Sequence, residues 1–569
     1  MNLPVPPLLS REMRRLLAVI VAVVPLLLPS GCRPAATVGA PGPAAVARSS
    51  ASAPLRPLSE PARQQVERFC GDCHRLPAAE SFPKANWPHE VRQGYDFYLT
   101  SLRSDLPRPA EGDAIRYFQD QAPESLTIPR AADRSEEPAT VAFVRAELGS
   151  GVELARPALA QVLLVPPVGG GDRLSRGGVS LSGAALSGVE LLTTDMRGGE
   201  IRRWRLGAGE AISEVIGRGT NPCRLSAYDV AADGGSRWLV GDLGSFLPED
   251  HSRGAAFVLD ETSGSVAPLL EGVSRVIEAR PFDFDGDGHR DCLVAEFGWR
   301  ATGALSVVIE EASGQRRREI LDPRHGVLGV QVADLDGDGS AEIIAAFAQE
   351  HETVDAWFRR RPVEGGAAVG ATGELDGRAT DAWEHRELLR LPDPSWGSSG
   401  LEIVDLDGDG DLDILHCNGD TMDTGLARPE HGIRALLNDG KGGFSVVEIA
   451  AMPGVSQASA ADLDGDGDQD IVAVALHPAA GNHPPGTFDS VFWLEQRPGG
   501  NWAPHAIEFD RCQHAALAIG DVDSDGRLDV IVGNWLASGG DLAVPGLDVW
   551  LNRPATAALP GQPATASGR

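Results

Sequence analysis

The stretch 405–413 carries an acidic side chain at every second position, which is the pattern of a cation-binding loop. It reads Asp-Leu-Asp-Gly-Asp-Gly-Asp-Leu-Asp, so its five carboxylates would repel one another if nothing lay between them. Calcium binds six to eight oxygen atoms at roughly 2.3–2.6 Å. Side chains at positions 1, 3, 5 and 9, with the backbone carbonyl of position 7, can supply them from one curled loop. Glycine at position 6 permits the turn that closes such a loop.

The same nine-residue pattern occurs five times. In every copy positions 1, 3 and 5 are Asp, position 6 is Gly and position 9 is Asp or Glu, whereas position 7 varies freely. We expect about five calcium ions, and the predicted ligands are Asp283, Asp285, Asp287 and Asp291; Asp334, Asp336, Asp338 and Glu342; Asp405, Asp407, Asp409 and Asp413; Asp462, Asp464, Asp466 and Asp470; and Asp521, Asp523, Asp525 and Asp529. The alternative is a set of solvated acidic turns without metal.

An EF-hand shares the first half of this motif but differs in the second half. Its loop ends in a bidentate Glu at position 12 and lies between two helices. Position 12 here is Val294, Ala345, His416, Ala473 or Val532, and none of these is acidic. The flanking runs, such as GVQVAD before the second loop and EIIAAF after it, are short and rich in apolar residues. They predict strand–loop–strand units.

A second motif, Cys70-Gly-Asp-Cys73-His74, has the spacing at which proteins attach haem c. Each thiol would add to one vinyl group of a single covalent haem, and His74 would ligate the iron from one side. A thioredoxin-like cysteine pair would follow a strand in a larger α/β unit, and the sequence shows no such unit. A zinc site would need two further ligands nearby, where only His89 is available.

The sixth ligand of the iron is open. Many c-type cytochromes use Met there, but the segment 61–122 contains no Met, and His89 is its only histidine outside the motif. Three alternatives remain: ligation by His89, an open or water-bound position, and a ligand from elsewhere, for which Met196, Met422 and Met452 are the candidates. His89 is otherwise a surface residue in the first turn of a helix.

The residues around the cysteine motif favour a small all-α domain over 61–122. The segments EPARQQVERFC, WPHEVRQGYDFYLTSL and EGDAIRYFQDQAPE read as helices. Three of the four tyrosines of the chain lie here, with Trp87 and Phe97, although aromatic residues make up only 5% of the sequence. This clustering predicts a c-type cytochrome domain whose aromatic side chains surround the haem.

The N-terminus resembles a bacterial lipoprotein signal. An Arg-Arg pair precedes the apolar run 16–28, which is too short to span a bilayer comfortably, and the run leads into Pro-Ser-Gly-Cys32. The resemblance implies that 1–31 is removed and that Cys32 is lipidated, with a Pro/Ala/Ser linker over 32–60. Ordinary cleavage nearby is the alternative. We expect an extracytoplasmic protein, in the periplasm or at the outer membrane or cell surface, which contacts the membrane through its lipid anchor only.

The charge balance excludes some partners. Lys and Arg number 50 against 81 Asp and Glu, which gives a formal net charge of −31. Such an acidic chain argues against nucleic-acid binding and against a basic membrane-facing surface.

For the oligomeric state of the protein, we expect a monomer.

Four further cysteines are scattered through the repeats: Cys223, Cys292, Cys417 and Cys512. An exported protein can form disulfides, but their pairing cannot be deduced from sequence. Free buried thiols are the equal alternative.

The acidic loops mark a repeated unit of about 50–60 residues. One longer interval contains the low-complexity insertion 363–380, and two units without a complete loop come first, the second of them marked by Asp229. Each unit contains about four strand-like runs, which is typical of a β-propeller blade. We expect seven blades over 157–553, with each acidic loop joining the innermost strand of a blade to its second strand. Residues 123–156 would be a linker and 554–569 a disordered tail.

The repeats resemble the FG-GAP/VCBS family, whose members build seven-bladed propellers with calcium in such loops, as in the integrin head. The order of signal, haem motif and repeats is similar to that of exported bacterial VCBS-repeat proteins. The resemblance implies a mainly β chain: a seven-bladed β-propeller with calcium-binding loops, preceded by a small all-α c-type cytochrome domain. Family members often carry a Met shortly after a conserved Trp of the haem segment, and none follows Trp87 in this segment.

Three functions fit these features. In the first, which we favour, the haem transfers electrons and the calcium-stabilised propeller is a recognition platform at the cell envelope. In the second, the chain is an adhesion or scaffold protein, as the integrin resemblance suggests. In the third, the propeller is an oxidoreductase that passes substrate electrons to the haem. Fold alone decides none of these, so whether the chain is an enzyme, and which redox partner or envelope component it meets, stays open.

Four residues stand in loops that lead into innermost strands, where a propeller borders the mouth of its central channel. They are His325, Trp396, Cys512 and His514. A ligand site at this mouth is one interpretation, and ordinary packing of the loops is the other.

Overall fold

The computed structural model describes most of the chain after its N-terminal segment. The described residues are 57–101, 103–134, 138–165, 189–207, 210–230, 235–360, 379–536 and 543–555. The predicted signal 1–31, the lipidation candidate Cys32, most of the insertion 363–380 and most of the C-terminal tail lie outside them. Within the described part, no helix combines the length and the apolar character that crossing a membrane requires.

Three helices carry and follow the cysteine motif, and they lie where the sequence predicts them. They are α1 Glu60–Cys70, α2 Trp87–Thr100 and α3 Glu111–Gln119. A proline stands in the first turn of both α1 and α2, where its missing N–H costs no helical hydrogen bond. Gly71 ends α1, and its N–H donates to the carbonyl of Glu67 at 3.0 Å.

The three helices share one aromatic core. Val66, Phe69, Trp87, Tyr95 and Phe118 are buried in it. The rings of Trp87 and Phe118 stack with centroids 3.9 Å apart, and the rings of Phe69 and Tyr95 meet edge to face at 5.4 Å. Each helix therefore buries one apolar face against the others, which gives this short segment a core of its own.

The rest of the described chain is built mainly from β-strands. They are, in chain order, β1 Val141–Arg145, β2 Glu153–Ala155, β3 Leu159–Val165, β4 Val189–Asp195, β5 Glu200–Gly207, β6 Glu210–Arg218, β7 Pro222–Val230, β8 Ser236–Asp242, β9 Gly254–Asp260, β10 Val266–Val273, β11 Val276–Phe282, β12 Asp291–Glu296, β13 Ala304–Glu310, β14 Arg316–Asp322, β15 Val327–Ala333, β16 Glu342–Phe347, β17 Thr353–Arg359, β18 Trp383–Arg390, β19 Ser398–Val404, β20 Asp413–Asn418, β21 Gly432–Asn438, β22 Phe444–Ala451, β23 Val455–Ala461, β24 Asp470–Ala475, β25 Asp489–Arg497, β26 Asn501–Phe509, β27 His514–Gly520, β28 Asp529–Asn534, β29 Ala543–Pro545 and β30 Leu547–Pro554.

These strands form seven four-stranded antiparallel sheets, the blades of a propeller, as the sequence predicts. Blades one to six use consecutive strands: β3–β6, β7–β10, β11–β14, β15–β18, β19–β22 and β23–β26. Blade seven has the order β27-β28-β30-β1, and β2 pairs with β29 in a separate short ribbon. The first strands of successive blades lie next to one another around the centre, and β27 of blade seven contacts β3 of blade one. The seven blades therefore form a closed ring.

The outer strand of blade seven comes from a segment that we expected to be a linker. We assigned 123–156 to a connection between domains, but Val141–Arg145 (β1) pairs antiparallel with β30, beginning with Val141 opposite Pro554. The expectation was wrong because β1 is short, carries no loop motif and finds its partner near the other end of the chain. By pairing there, β1 also covers an edge of β30 that would otherwise be open.

The buried second strands explain the continuous apolar runs that follow the acidic loops. β12, β16, β20, β24 and β28 are buried along all six of their residues. Successive side chains face opposite sides of a sheet, so Ile343 packs in one core between blades and Ile344 in another. Because neighbouring elements cover both faces, such a strand has no polar side.

Glutamine side chains on innermost strands bond neighbouring blades together near the axis. Oε1 of Gln161 accepts the backbone N–H of Leu225 at 2.7 Å, and Nε2 donates to the carbonyl of Leu225 at 3.2 Å. Gln457 makes the same pair of bonds with Leu517, at 3.0 and 3.4 Å. Each amide thus satisfies backbone groups that have no strand beside them on that side.

Blade three makes the equivalent bridge with two charged residues. Glu278 accepts the N–H of Val330 at 3.3 Å, while Nε of Arg280 donates to the carbonyl of Val330 at 3.0 Å. Burial alone would raise the pKa of Glu278, but Arg280 and Arg224 beside it hold that pKa below its ordinary value. Glu278 therefore stays ionised. Together Glu278, which accepts from Val330, and Arg280, which donates to it, make the two hydrogen bonds that a single glutamine makes in the other two blade pairs.

Candidate functional site

The five acidic loops lie at one end of the propeller. Each joins the innermost strand of a blade to the second strand, as predicted, in blades three to seven: 283–291 joins β11 to β12, 334–342 joins β15 to β16, 405–413 joins β19 to β20, 462–470 joins β23 to β24, and 521–529 joins β27 to β28. Successive connections of an antiparallel sheet lie at alternate ends. We call this end the acidic end. The other end, which carries the connections from second to third strands and from blade to blade, is the docking end.

The aspartate at position 1 shapes each loop by accepting backbone N–H groups. In the first loop Asp283 accepts those of Gly286 at 2.7 Å and Gly288 at 3.1 Å, one on each oxygen. The third and fourth loops, which begin at Asp405 and Asp462, repeat both bonds. The backbone curl that brings the carboxylates together is thus formed by the loop itself.

The acid at position 9 is buried in every loop and ties the loop to its blade. In the first loop Asp291 accepts the N–H of Phe284 at 2.9 Å and that of Glu310, at the end of β13, at 2.8 Å. The third, fourth and fifth loops make the corresponding pair of bonds. A carboxylate has about four acceptor positions, so these bonds leave room for a cation. Position 9 therefore has a structural role besides that of predicted ligand.

Burial makes ionisation of these position-9 acids costly. It raises the pKa of Glu342 and Asp470 to about 7, and that of Asp413 and Asp529 to about 6. The negative charges of neighbouring loop aspartates add to each shift. A cation placed among these carboxylates would favour their ionised form.

The carboxylates that the sequence groups together also converge in space. In each of the first three loops, oxygens from positions 1, 3 and 9 lie within 4.8 Å of one another, and in the fourth loop the oxygens of positions 1, 3 and 5 do so. Position 5 of the first loop, Asp287, accepts the N–H of His289 at 2.7 Å. Three converging carboxylates supply part of the six to eight oxygens that calcium binds. The position-7 carbonyl and water would complete the set.

The fifth loop differs because it faces an internal cation. Arg553, on β30, pairs with Asp523 and with Asp525, whose Oδ2 lies 2.7 Å from Nη1. Position 4 of this loop is Ser524, with φ at 64°, whereas the other four loops have glycine there. The guanidinium thus neutralises two of the side chains that we expected to bind calcium.

The haem motif begins at the C-terminal end of α1. Cys70 is the half-buried last residue of that helix, Cys73 is exposed, and neither forms a disulfide. Nδ1 of His74 lies 2.7 Å from the carbonyl oxygen of Arg75. Because a carbonyl only accepts, Nδ1 carries the proton and Nε2 has the lone pair that an iron ligand needs. Two unpaired thiols and this imidazole fit covalent haem attachment.

Arg103 holds the turn that contains the motif. Its Nη2 lies 2.6 Å from both Asp72 and Asp105, and its Nη1 donates to Sγ of Cys73 at 3.1 Å. Cys70 has different surroundings, since burial raises its pKa to about 12. The arginine therefore orients the exposed thiol, while the helix end orients the other.

The candidates for the sixth ligand differ in their exposure. His89 has an exposed side chain in the first turn of α2. Met196 and Met452 are buried in the propeller, whereas Met422 is 45% exposed on the connection between β20 and β21. Leu426 of the same connection packs against the helical core. Of the three methionines, Met422 is thus the one that is accessible and close in sequence to a contact with the haem segment.

The remaining cysteines are free buried thiols, which decides between the two alternatives left open by the sequence. Cys223, Cys292, Cys417 and Cys512 are buried and form no disulfide. Burial raises their pKa values to about 11 or 12. They are protonated at neutral pH and pack as small apolar side chains.

The helical segment packs on the docking end of the propeller. The N–H of Ala78 and the hydroxyl of Ser81 both donate to Oδ2 of Asp393, at 2.6 and 2.8 Å. Asp393 lies in the connection between blades four and five. The guanidinium of Arg428, on the connection between β20 and β21, lies 4.2 Å from the ring centre of Phe82. A buried carboxylate and an arginine thus fix the residues that follow the haem motif.

Two further contacts extend this interface. Arg300, on the connection between β12 and β13, lies 3.4 Å from the ring centre of Phe97, and Arg75 donates to the carbonyl of Pro392 at 3.0 Å. All of these contacts come from docking-end connections of blades three to five. The haem motif and the acidic loops therefore belong to opposite ends of the propeller.

Two of the residues expected near the channel mouth are ordinary packing residues. His514 is buried and bonded to Asn534 at 2.8 Å and Glu508 at 2.6 Å. Cys512 is buried, and its backbone N–H donates to Ser490 at 2.9 Å. The ligand-site interpretation therefore fails for both.

The other two differ from each other. Trp396 is half-buried, with the guanidinium of Arg434 5.2 Å from its ring centre. His325 lies beside Glu350 and His351, which sequence reasoning missed. The signal that could have found them is the polar run Gln-Glu-His-Glu (349–352), one residue after the apolar strand β16.

Comparison with known proteins supports the repeat. A model of the FG-GAP-like repeat matches residues 283–345. The chain is similar to the Dos1 propeller (TM-score 0.35, 9% identity, covering 72% of this chain and 95% of that one) and to a mutant of the NanB sialidase from Streptococcus pneumoniae (TM-score 0.34, 11% identity, covering 71% of each chain). No curated protein matches it. The chain thus contains an FG-GAP-like repeat within a seven-bladed propeller.

We predict that Asp393→Ala loosens the helical segment from the propeller. The change removes a carboxylate that accepts from Ala78 and Ser81, and a hydrogen bond to a charged group contributes about 1.5–3 kcal/mol. Hydrogen exchange at the amide of Ala78 should become at least about tenfold faster. Asp260→Ala, which alters an aspartate in a hairpin turn of blade two, should leave that amide unchanged. Equal protection of Ala78 in wild type and Asp393→Ala would contradict the role of Asp393.

Proposed function

We propose that this chain is an exported electron-transfer protein in which Cys70 and Cys73 hold a covalent haem c and His74 ligates its iron. The observation that carries the proposal is the pair of unpaired thiols beside an imidazole whose Nε2 has the lone pair. A bound haem would supply one-electron transfer. The propeller would be the rigid platform that recognises a redox partner or another component of the envelope.

The contacts of the helical segment support this arrangement. Asp393, Arg428 and Arg300 hold residues that follow the motif against blades three to five. A redox group works best when its surroundings are fixed, because a mobile group presents its reactive edge in many orientations. The docking end of the propeller would thus set the direction from which a partner approaches.

We further propose calcium in the acidic loops of blades three to six, with a weaker site in blade seven. Carboxylate oxygens converge within 4.8 Å in each of those four loops. In blade seven Arg553 competes with a metal ion for Asp523 and Asp525. Because these ligands converge only in the folded chain, bound calcium would stabilise the fold.

We predict that calcium raises the melting temperature and that single variants change the number of bound ions. One site at 100 times its dissociation constant adds about 2.7 kcal/mol of stability. Asp407→Ala should lower the calcium content by one ion per chain, and Arg553→Gln should strengthen binding in the fifth loop. Ser340→Ala should change neither the number of bound calcium ions nor the melting temperature, because position 7 would contribute only its backbone carbonyl. Elemental analysis and melting with and without chelator measure both quantities, and a protein that binds no metal and melts equally in both would refute the proposal.

We predict that the double variant Cys70→Ala/Cys73→Ala loses covalent haem, whereas Cys223→Ala, which alters a buried propeller thiol, keeps it. Haem detected on the denatured chain is the measurement. If His89 is the sixth ligand, the wild-type spectrum is low-spin and the reduced protein binds carbon monoxide poorly, while His89→Ala is high-spin and binds it readily.

Other spectra would assign the iron differently. A low-spin spectrum that His89→Ala leaves unchanged would exclude His89 and point to Met422. A high-spin wild type would mean an open position, which suits sensing or substrate chemistry better than electron transfer. Absence of covalent haem from wild type made in an export pathway that attaches haem c would reject the proposal.

We also propose that the lipid on Cys32, which lies outside the described residues, anchors the chain. Cys32→Ser should move the protein from the membrane fraction to the soluble fraction, because stable anchoring needs more than one acyl chain and the variant would carry none. Immunodetection after fractionation measures this, and a variant that still sediments with membranes would disprove the anchor.

A second candidate function is an adhesion or scaffold protein, which the FG-GAP-like match favours. In that case the propeller binds its partner without help from the haem. A Cys70→Ala/Cys73→Ala chain that lacks haem but binds the cell envelope as well as wild type would support this candidate over electron transfer.

A further inference from the structure

We propose that His325, Glu350 and His351 bind a divalent transition-metal ion at the docking end of the propeller. One potential ligand atom of each lies within 4.8 Å of the other two. Nε2 of His325 is 2.8 Å from Oε1 of Glu350, and the two imidazole rings meet edge to face with centroids 5.0 Å apart. The proposal goes beyond electron transfer, because neither the haem nor the acidic loops use these residues.

The side chains come from two connections that are bonded to each other. His325 precedes β15, and Glu350 and His351 lie between β16 and β17. The N–H of Ala348 donates to the carbonyl of Gly326 at 2.8 Å, which joins the two connections beside the cluster. The three side chains are thus positioned by the backbone of these two connections before any ion arrives.

Blade three limits the movement of His325. Gly303 lies so close that an added Cβ would stand 2.6 Å from Cβ of His325. The N–H of Gly326 donates to the carbonyl of Phe297 at 2.8 Å. The imidazole is therefore held between two blades, with 16% of the side chain exposed.

Polar atoms without partners indicate that this cluster is incomplete as an ordinary hydrogen-bond network. Nε2 of His351 and both polar side-chain atoms of Gln349 are buried and make no hydrogen bond among the described residues. Buried polar groups almost always have a partner. A metal ion beside Nε2 of His351 would provide one.

The backbone around the cluster is strained in a way that fixes its geometry. Gln349 and Glu352 have φ at 60° and 48°, which side chains other than glycine rarely adopt. Glu352 accepts both the N–H and the hydroxyl of Ser398, at 2.6 and 2.7 Å, and so pins the far side of the turn. Such strain persists where the surrounding structure compensates for it, and it is common at functional sites.

The donor set selects the class of metal. Two imidazoles and one carboxylate suit zinc or ferrous iron. Calcium and magnesium prefer oxygen ligands and would bind the acidic loops instead. Three protein ligands leave at least one coordination position for water or a substrate oxygen, which is the arrangement of a catalytic rather than a structural site.

Zinc binding to the full-length protein, saturated with calcium, tests the proposal. Isothermal titration and elemental analysis after gel filtration should show one zinc ion per chain. His351→Ala should weaken zinc binding by at least about a hundredfold, and the isosteric Glu350→Gln by at least about tenfold. His289→Ala removes an exposed imidazole of the first acidic loop and should bind zinc as wild type does.

The melting temperature in calcium identifies variants that fail to fold. If His351→Ala does not fold, Glu350→Gln is the variant that tests the proposal. No zinc bound by the wild type in excess calcium would overturn the proposal. Unchanged affinity in folded Glu350→Gln and His351→Ala would overturn it as well, since it would place the zinc elsewhere. Neither result bears on haem attachment, so both leave the electron-transfer proposal untouched.

Discussion

Closure of the ring is the constraint on which the rest of this structure depends. A four-stranded blade has two apolar faces and can bury them only between two neighbours, so an open array would leave faces uncovered at both of its ends. The contact of β27 with β3, and the pairing of β1 with β30, remove those ends. Because β1 belongs to the N-terminal part of the chain, closure also brings the preceding helical segment to the propeller. Contacts with Asp393, Arg428 and Arg300 then hold that segment on the connections of blades three to five.

Within the ring, charge and burial oppose each other at the acidic end. The position-9 acid of each loop is buried, and burial raises its pKa. In four of the five loops this acid also bonds the loop to the third strand of the blade. Moving it outward would lose those bonds, and leaving it ionised among aspartates costs electrostatic energy. A bound cation, as proposed, would resolve this conflict without disturbing the backbone. In blade seven the chain carries a partial solution of its own, since Arg553 faces two of the aspartates.

The two ends of the propeller therefore differ in chemistry. The acidic end contains repeated loops, each built within its own blade. The docking end contains side chains that occur once: Asp393 and Arg300, which hold the helical segment, and the cluster of His325, Glu350 and His351. Repetition suits stability, because each copy contributes to its own blade. Residues that occur once suit recognition and chemistry, for which one asymmetric surface is enough.

The sequence by itself determined the features whose parts lie close together along the chain. The carboxylates of an acidic loop fall within nine residues, as do both cysteines and the histidine of the Cys-x-x-Cys-His motif. The helix-like segments around that motif predicted α1 to α3, and the repeated unit of acidic loop and strand-like runs predicted the propeller. Only the tertiary structure decided the closing role of β1, the ion pairs of Arg553 with Asp523 and Asp525, and the meeting of His325 with Glu350. These contacts join residues that are distant in sequence or lie in different connections. The spacing of residues along the chain determines local geometry. These pairs depend instead on how the blades are arranged around the axis of the propeller, and no single segment of the sequence encodes that arrangement.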